Sequence, residues 1–290
     1  MSETQNYTFK SVEELTFTDD YMFGAVMRHE EICKGVLERL LHIKIEHISY
    51  PELQKGLKPY YTSKGVRLDV YVKDSDRVFN VELQNKKYDT LGKRTRYYQA
   101  MMDIDQLMRG DDYSKLKESY VIFICTHIPF EENMPVYTFE SICLEDKNIK
   151  LDDKVHKVIY NSSDYEKLKD TDRELYSFLR FVDKNSASDD FTDEISALVE
   201  EIKLQEEFKT RYMAVNLHER DIRVEAKREG ITEGIAQGAH DKAIEAASNL
   251  LKMGLGTIEQ IAQAQGLSVE EVRALQSESA QLQETKLLQK

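Results

Sequence analysis

The chain has 290 residues, and at ~150 residues per domain this allows one well-built core plus an extension, which excludes a disulfide-stapled miniature. Apolar residues make up 41% and charged residues 32%, with only 4 prolines, a globular and helix-favouring composition rather than a disordered or fibrous one. The net charge of −13 repels a polyanion on average, but it is unevenly spread: Lys86 to Arg96 carries five basic residues against Asp89, whereas Asp189 to Glu207 carries eight acids against Lys203.

Residues 28 to 42 place Ile32, Val36, Leu37, Leu40 and Leu41 at helical spacing and predict an amphipathic helix. Two strand-like segments follow. In one, Val66, Leu68, Val70 and Val72 alternate with Arg67, Asp69, Tyr71 and Lys73; in the other, Phe79, Val81 and Leu83 alternate with Asn80, Glu82 and Gln84. Asp74-Ser75-Asp76 between them is turn chemistry, so the pair reads as an antiparallel hairpin. A helix from about Thr90 to Met108, a buried strand at Tyr120 to Thr126, and strands near Val136 to Leu144 and Val155 to Tyr160 complete a three-layer α/β domain. Beyond it the chain reads as all-helical. Leu175, Phe178, Leu179 and Val182 mark one helix, and Ile195, Leu198, Val199 and Ile202 another. Six of the 12 glycines then fall between Gly230 and Gly266, with Gly230, Gly234 and Gly238 recurring every fourth residue. This repeat is either a smooth helix strip that lets another helix approach or a low-complexity linker. The expected division is an α/β domain over 1–165, a helical segment over 166–229, the glycine repeat over 230–241 and a small helical module over 242–290. That module has the outline of a helix-turn-helix, with breaks at Gly254-Leu255-Gly256 and Gly266 and a last helix capped by Ser268. Glu270 and Glu271 near the start of that helix are poor chemistry for a major groove, which favours packing or assembly over base reading.

The apolar run Val121 to Cys125 is far short of the ~20 residues a membrane span needs. Met1 to Lys10 is polar, with no secretory pattern, so a cytoplasmic protein without membrane partners is expected. Cys33, Cys125 and Cys143 lack CxxC spacing and sit in apolar contexts, as reduced core thiols do. His42, His47, His127 and His156 show no zinc-hydrolase spacing, and no phosphate-binding glycine motif is present.

The hairpin carries the chemistry. With Ser75-Asp76 as a two-residue turn, residues whose numbers sum to 151 lie opposite each other, so Asp69 faces Glu82 and Gln84 lies two residues along on the same face. Two carboxylates this close repel unless a cation sits between them, and hard oxygen ligands suit Mg²⁺. The same spacing is what the solvated face of an edge hairpin would show.

The strings Lys64-Gly-Val-Arg-Leu-Asp69-Val-Tyr-Val, Asn80-Val-Glu82-Leu-Gln84 and Lys93-Arg94-Thr-Arg96-Tyr97-Tyr98-Gln99 resemble the Rpn-type recombination-promoting nucleases. These are also described as PD-(D/E)xK family transposases. Leu15-Thr-Phe-Thr-Asp-Asp20-Tyr-Met-Phe23 and Ser119 to Thr126 extend the similarity over most of residues 15 to 160. The resemblance implies a restriction-endonuclease-like core with a mixed sheet, in which Asp69 and Glu82 bind a catalytic Mg²⁺ or Mn²⁺, Leu83 offers its carbonyl and Asp20 supports the metal. Gln84 stands where the wider superfamily has lysine. An amide can orient water but carries no charge. Lys93, Arg94, Arg96, Tyr97 and Tyr98 directly follow the site and suit DNA phosphates, or else form a solvated basic face with one tyrosine packed inward. The implied function is a DNA endonuclease of low sequence specificity in recombination or transposition; because one site per chain cuts one strand at a time, a homodimer packed partly through the Gly230, Gly234 and Gly238 strip is expected. The rivals are a catalytically weak DNA-binding or regulatory protein and an oligomeric scaffold.

Overall fold

A computed structural model describes residues 9–57 and 66–277. Lys64 and Gly65, at the start of the first family-like string, lie outside the described residues, as does the end of the 242–290 module after residue 277. The chain divides into two compact units, Met1–Met213 and Ala214–Lys290.

The first unit is built on a six-stranded mixed sheet in the order β1-β2-β3-β4-β6-β5. Its strands are β1 (Ser49–Leu57), β2 (Val66–Lys73), β3 (Arg77–Gln84), β4 (Glu118–Cys125), β5 (Val136–Phe139) and β6 (Val155–Asn161). β1, β2 and β3 pair antiparallel, β3, β4 and β6 run parallel, and β5 returns antiparallel to β6. The predicted hairpin register is the one observed: Val70 pairs with Val81 and Lys73 with Val78, closed by Asp74 N–H donating to the Arg77 carbonyl at 2.9 Å. The hairpin is not an edge, however. β1 flanks it, a strand whose sequence, with Pro51 and Gly56, lacks the alternation that announces the others.

Both faces of the sheet are covered, as parallel strands require. Helices α1 (Asp20–Val26), α2 (Glu30–Leu41), α4 (Arg173–Lys184) and α5 (Asp190–Leu204) bury Phe23, Leu37, Phe178 and Ile195 on one face against Val70, Val81 and Ile122. Full burial of side chains of this size stabilises by ~1.5–3 kcal/mol each, so this layer is the main anchor of the fold. Gly35 of α2 is demanded by close approach, because a Cβ there would lie 2.5 Å from the Phe191 ring of α5. The other face is covered by α3 (Leu91–Gln106), whose Leu91, Met101 and Met102 pack on Tyr71, Val121 and Phe123. Residues 166–212 share the core of the sheet through α4 and α5 and through Phe208 and Tyr212 at the start of α6 (Glu206–Met253), whereas the first unit ends at Met213. Cys33 and Cys125 are buried thiols, but Cys143 is not in the core and donates to Glu145 Oε2 at 3.1 Å.

In the second unit, α6 carries Gly230, Gly234 and Gly238 as exposed helical residues, not as an irregular linker. Gly254 and Gly256 then adopt positive φ of 68° and 92°, ending α6 before α7 (Ile258–Gln265), and Gly266 at 68° ends α7. A further helix over 269–277 starts after Ser268, whose hydroxyl accepts from Glu271 N–H at 3.2 Å while its own N–H donates to the Glu271 carboxylate at 2.7 Å. Ala247, Ile261, Ala262, Leu267 and Val272 form a small separate core. No helix among the described residues is long and apolar enough to cross a membrane.

Candidate active site

The site forms where the β2–β3 ladder ends. Regular pairing runs to Val70–Val81 and the next two positions are Asp69 and Glu82. There the backbone groups turn to side chains: Asp69 N–H donates to Glu82 Oε1 at 3.0 Å, and Leu83 N–H donates to Asp69 Oδ2 at 3.3 Å. The two carboxylates are therefore tied to each other's strands. The side-chain alternation of β2 breaks at the same point, for Val70 and Val72 pack in the larger cluster while Leu68 packs in the α3-side cluster.

Burial separates the two acids. Asp69 is half-buried, whereas Glu82 is only 3% exposed because α3 covers this face. The alternative of a solvated edge-hairpin face does not fit this burial: alternation on a strand shows which residues share a face, not whether a helix lies over it. Burial, and then repulsion from Asp69, push the Glu82 carboxyl up to about 8. A cation relieves both effects. One is already nearby, since Arg94 Nη2 lies 3.9 Å from Glu82 Oε2.

Arg94 belongs to the inward face of α3, with Leu91, Thr95 and Tyr98, and not to its outward face with Lys93, Arg96 and Tyr97. Its guanidinium donates to Gln84 Oε1 and, at 3.0 Å, to the Tyr98 hydroxyl. It also lies 5.3 Å from the Tyr88 and Phe123 ring centroids and 5.5 Å from that of Tyr98, within cation–π range. Tyr98 stacks on Phe123, so one of the two adjacent tyrosines packs inward. Gln84 is held at both ends, because its Nε2 donates to the Lys86 carbonyl at 2.9 Å. β3 ends at Gln84, and Lys86 is exposed on the bend beyond it.

Asp20, the first residue of α1, is linked to the residue that follows β3. Asn85, one residue past β3, donates to Asp20 Oδ1 at 3.1 Å and to the Thr18 carbonyl at 2.8 Å, and accepts from the Thr126 hydroxyl at 3.2 Å. This bracket joins the start of α1 to the ends of β3 and β4. Asp69, Glu82, Gln84 and Arg94 are thus joined by contacts, and Asp20 is joined to the end of the same strand. Lys93, Arg96 and Tyr97 stand on the solvent side.

The donor set suits a hard divalent cation: two carboxylates on adjacent strands, one buried and charge-stressed. Among the described residues no group of three or more His, Cys, Asp or Glu side chains converges on one point. The remaining positions would fall to a backbone carbonyl, water and substrate oxygen, which is the usual pattern for Mg²⁺. The sequence reading missed that Arg94 turns into the site. Its signal was the helical wheel, since residue 94 lies between Leu91 and Tyr98 on the face that also carries Thr95.

No curated protein and no solved structure matches the chain. The model of the PD-(D/E)XK nuclease family transposases matches residues 17–231, running from before α1 through the whole sheet, α4 and α5 into α6. With most of its length matched, and with an α/β core of mixed sheet and helices consistent with that fold, the chain belongs to the PD-(D/E)XK nuclease family transposases.

Proposed function

We propose that the chain is a Mg²⁺- or Mn²⁺-dependent DNA endonuclease of low sequence specificity, hydrolysing phosphodiester bonds in recombination or transposition. Family membership supports nuclease chemistry with DNA as substrate, and PD-(D/E)XK nucleases generally use divalent metals. The observation that carries the reading is the pair Asp69–Glu82, locked across two strands where their ladder ends.

In this reading Asp69 and Glu82 hold the metal, with the Leu83 carbonyl as a third protein ligand and Asp20 supporting it through water. A bound divalent ion supplies Lewis-acid polarisation of the phosphodiester and a lowered pKa for its water. Gln84, fixed at both ends, orients the attacking water by hydrogen bonding. Lys93, Arg96 and Tyr97, exposed on the first turns of α3, meet the phosphates of the DNA backbone, with Arg94 and Tyr98 on the inner side. Contacts of this kind carry no base information, in keeping with low specificity. A chain with one such site needs two subunits, or two visits, to cut both strands, and the Gly230–Gly234–Gly238 strip of α6 offers a close-packing surface for a homodimer acting in the cytoplasm. Incubating supercoiled plasmid with the purified protein, with and without Mg²⁺, tests the reading. Metal-dependent nicking lost in Asp69→Asn and Glu82→Gln supports it, and nicking that persists in either variant removes the assignment.

A further inference from the structure

Gln84 brings no charge to the site from β3, where two carboxylates, Asp69 and Glu82, meet at the end of one hairpin. The cation is found on another element. Arg94 comes from α3 and bonds Gln84, and it lies 3.9 Å from Glu82. A DNA-binding arginine on a solvated face has no need of such fixation. The Arg94 side chain is only 28% exposed, is hydrogen-bonded to Tyr98, and is surrounded by the rings of Tyr88, Tyr98 and Phe123. Arginine entropy is already spent before any substrate arrives, as electrostatic preorganisation requires. Its neighbours Lys93 and Arg96 are exposed and have no comparable setting.

We propose that Arg94 is the catalytic cation of this site: it supplies from α3 the positive charge that Gln84 cannot supply from β3, and it contacts the phosphate undergoing cleavage. This rests on the endonuclease reading above. In the free protein the same guanidinium lies beside the Glu82 carboxyl. It therefore opposes a divalent ion entering the site, and removing it has two effects of opposite sign. Cleavage is lost because charge developing on the phosphate is no longer met. Metal binding tightens because the two carboxylates no longer share their field with a second cation. A residue that merely supports the fold would lower metal affinity, cleavage and thermal stability together.

The test uses the full chain, supercoiled plasmid as substrate and Mn²⁺ alone as the calorimetric probe. Arg94→Met is expected to lower cleavage at saturating metal by roughly a hundredfold and to tighten Mn²⁺ binding by about tenfold. The double variant Gln84→Lys with Arg94→Met returns the charge to β3. It is expected to regain most of the lost cleavage and the weaker Mn²⁺ affinity. Cleavage by Arg94→Met near the wild-type rate, or Mn²⁺ affinity that falls together with the melting temperature, overturns the proposal. Should Arg94→Met fail to fold, Arg94→Lys decides: retained cleavage with unchanged Mn²⁺ affinity supports a charge role, and wild-type folding without cleavage or rescue by Gln84→Lys contradicts it. A wild-type protein that binds Mn²⁺ but never cleaves DNA removes the endonuclease reading instead. The titration then still judges the charge balance, which stands if Arg94→Met tightens Mn²⁺ and falls if it does not.

Discussion

On the inner face of α3, Arg94 and Tyr98 are packed and hydrogen-bonded to each other, with Arg94 beside Glu82; on its outer face, Lys93, Arg96 and Tyr97 carry the same chemistry toward solvent. Residue type is alike on the two faces, and surroundings differ. A guanidinium held among three rings acts at one point, whereas exposed basic groups act by adding to a field. The difference predicts that changes on the inner face alter the rate of the chemical step and changes on the outer face alter affinity.

The largest expected effect lies beneath the inner face. Asp69→Asn or Glu82→Gln should lower cleavage on the order of a thousandfold or more, because several kcal/mol of charge stabilisation goes with the site. Both variants should keep a cooperative thermal transition. Next comes Tyr98→Phe, which removes only the hydroxyl that fixes Arg94. A hydrogen bond to a charged group is worth ~1.5–3 kcal/mol, so turnover should fall by about tenfold or more with DNA affinity unchanged. On the outer face, Arg96→Ala with Lys93→Ala should weaken binding to all sequences alike. The slope of log affinity against log salt should drop by about one for each charge removed. A loss of turnover with an unchanged salt slope would erase the distinction between the faces.

Protonation sharpens the same comparison. The Glu82 carboxyl, pushed up to about 8 by burial and by Asp69, holds a proton in the folded chain that the unfolded chain releases above the ordinary carboxylate range. The contribution of Glu82 to metal-free stability is therefore fully present below that range and is lost as pH rises through about 8. A divalent ion needs the ionised form, so its affinity should climb over the same window and level off above it. Calorimetric titration of Mg²⁺ between pH 6 and 9 reads the climb, and thermal melts without metal read the decline. Glu82→Gln should flatten the decline.

Much of this site was legible in the sequence, and the part that was not has a physical reason. Two-residue periodicity and the Asp74-Ser75-Asp76 turn determine which residues face each other, so the Asp69–Glu82 opposition and the 151 register could be read directly. Periodicity says nothing about what lies over a strand, so the spacing fits a solvated face as well as a covered one, and the burial of Glu82 under α3 decides between them. β1 was silent because its pattern does not alternate, and it changes the hairpin from a sheet edge to an interior pair. Arg94 was read with its basic neighbours by composition, although the helical wheel separates them. In the C-terminal half, Gly254, Gly256 and Gly266 marked helix ends correctly because their backbone φ is positive. Gly230, Gly234 and Gly238, with no such demand, lie inside a helix.

Those three glycines carry the smallest effect. A Cβ at Gly234 would meet nothing within 4 Å, so Gly234→Leu should be tolerated within the chain and should gain up to ~1 kcal/mol of helix propensity. If the strip packs against a second copy, the same change should shift sedimentation from dimer toward monomer. A chain that is monomeric before and after, with a raised melting temperature, would remove the dimer role.

Plasmid cleavage in the presence and absence of Mg²⁺ addresses the central claim most directly, comparing the wild-type chain with Glu82→Gln at matched concentration and confirmed folding. The expected result is nicking by the wild type only with the metal present, and none by the variant under either condition. Equal cleavage by the two proteins, or cleavage by the wild type that is indifferent to chelation of the metal, would contradict a catalytic centre built on Asp69 and Glu82.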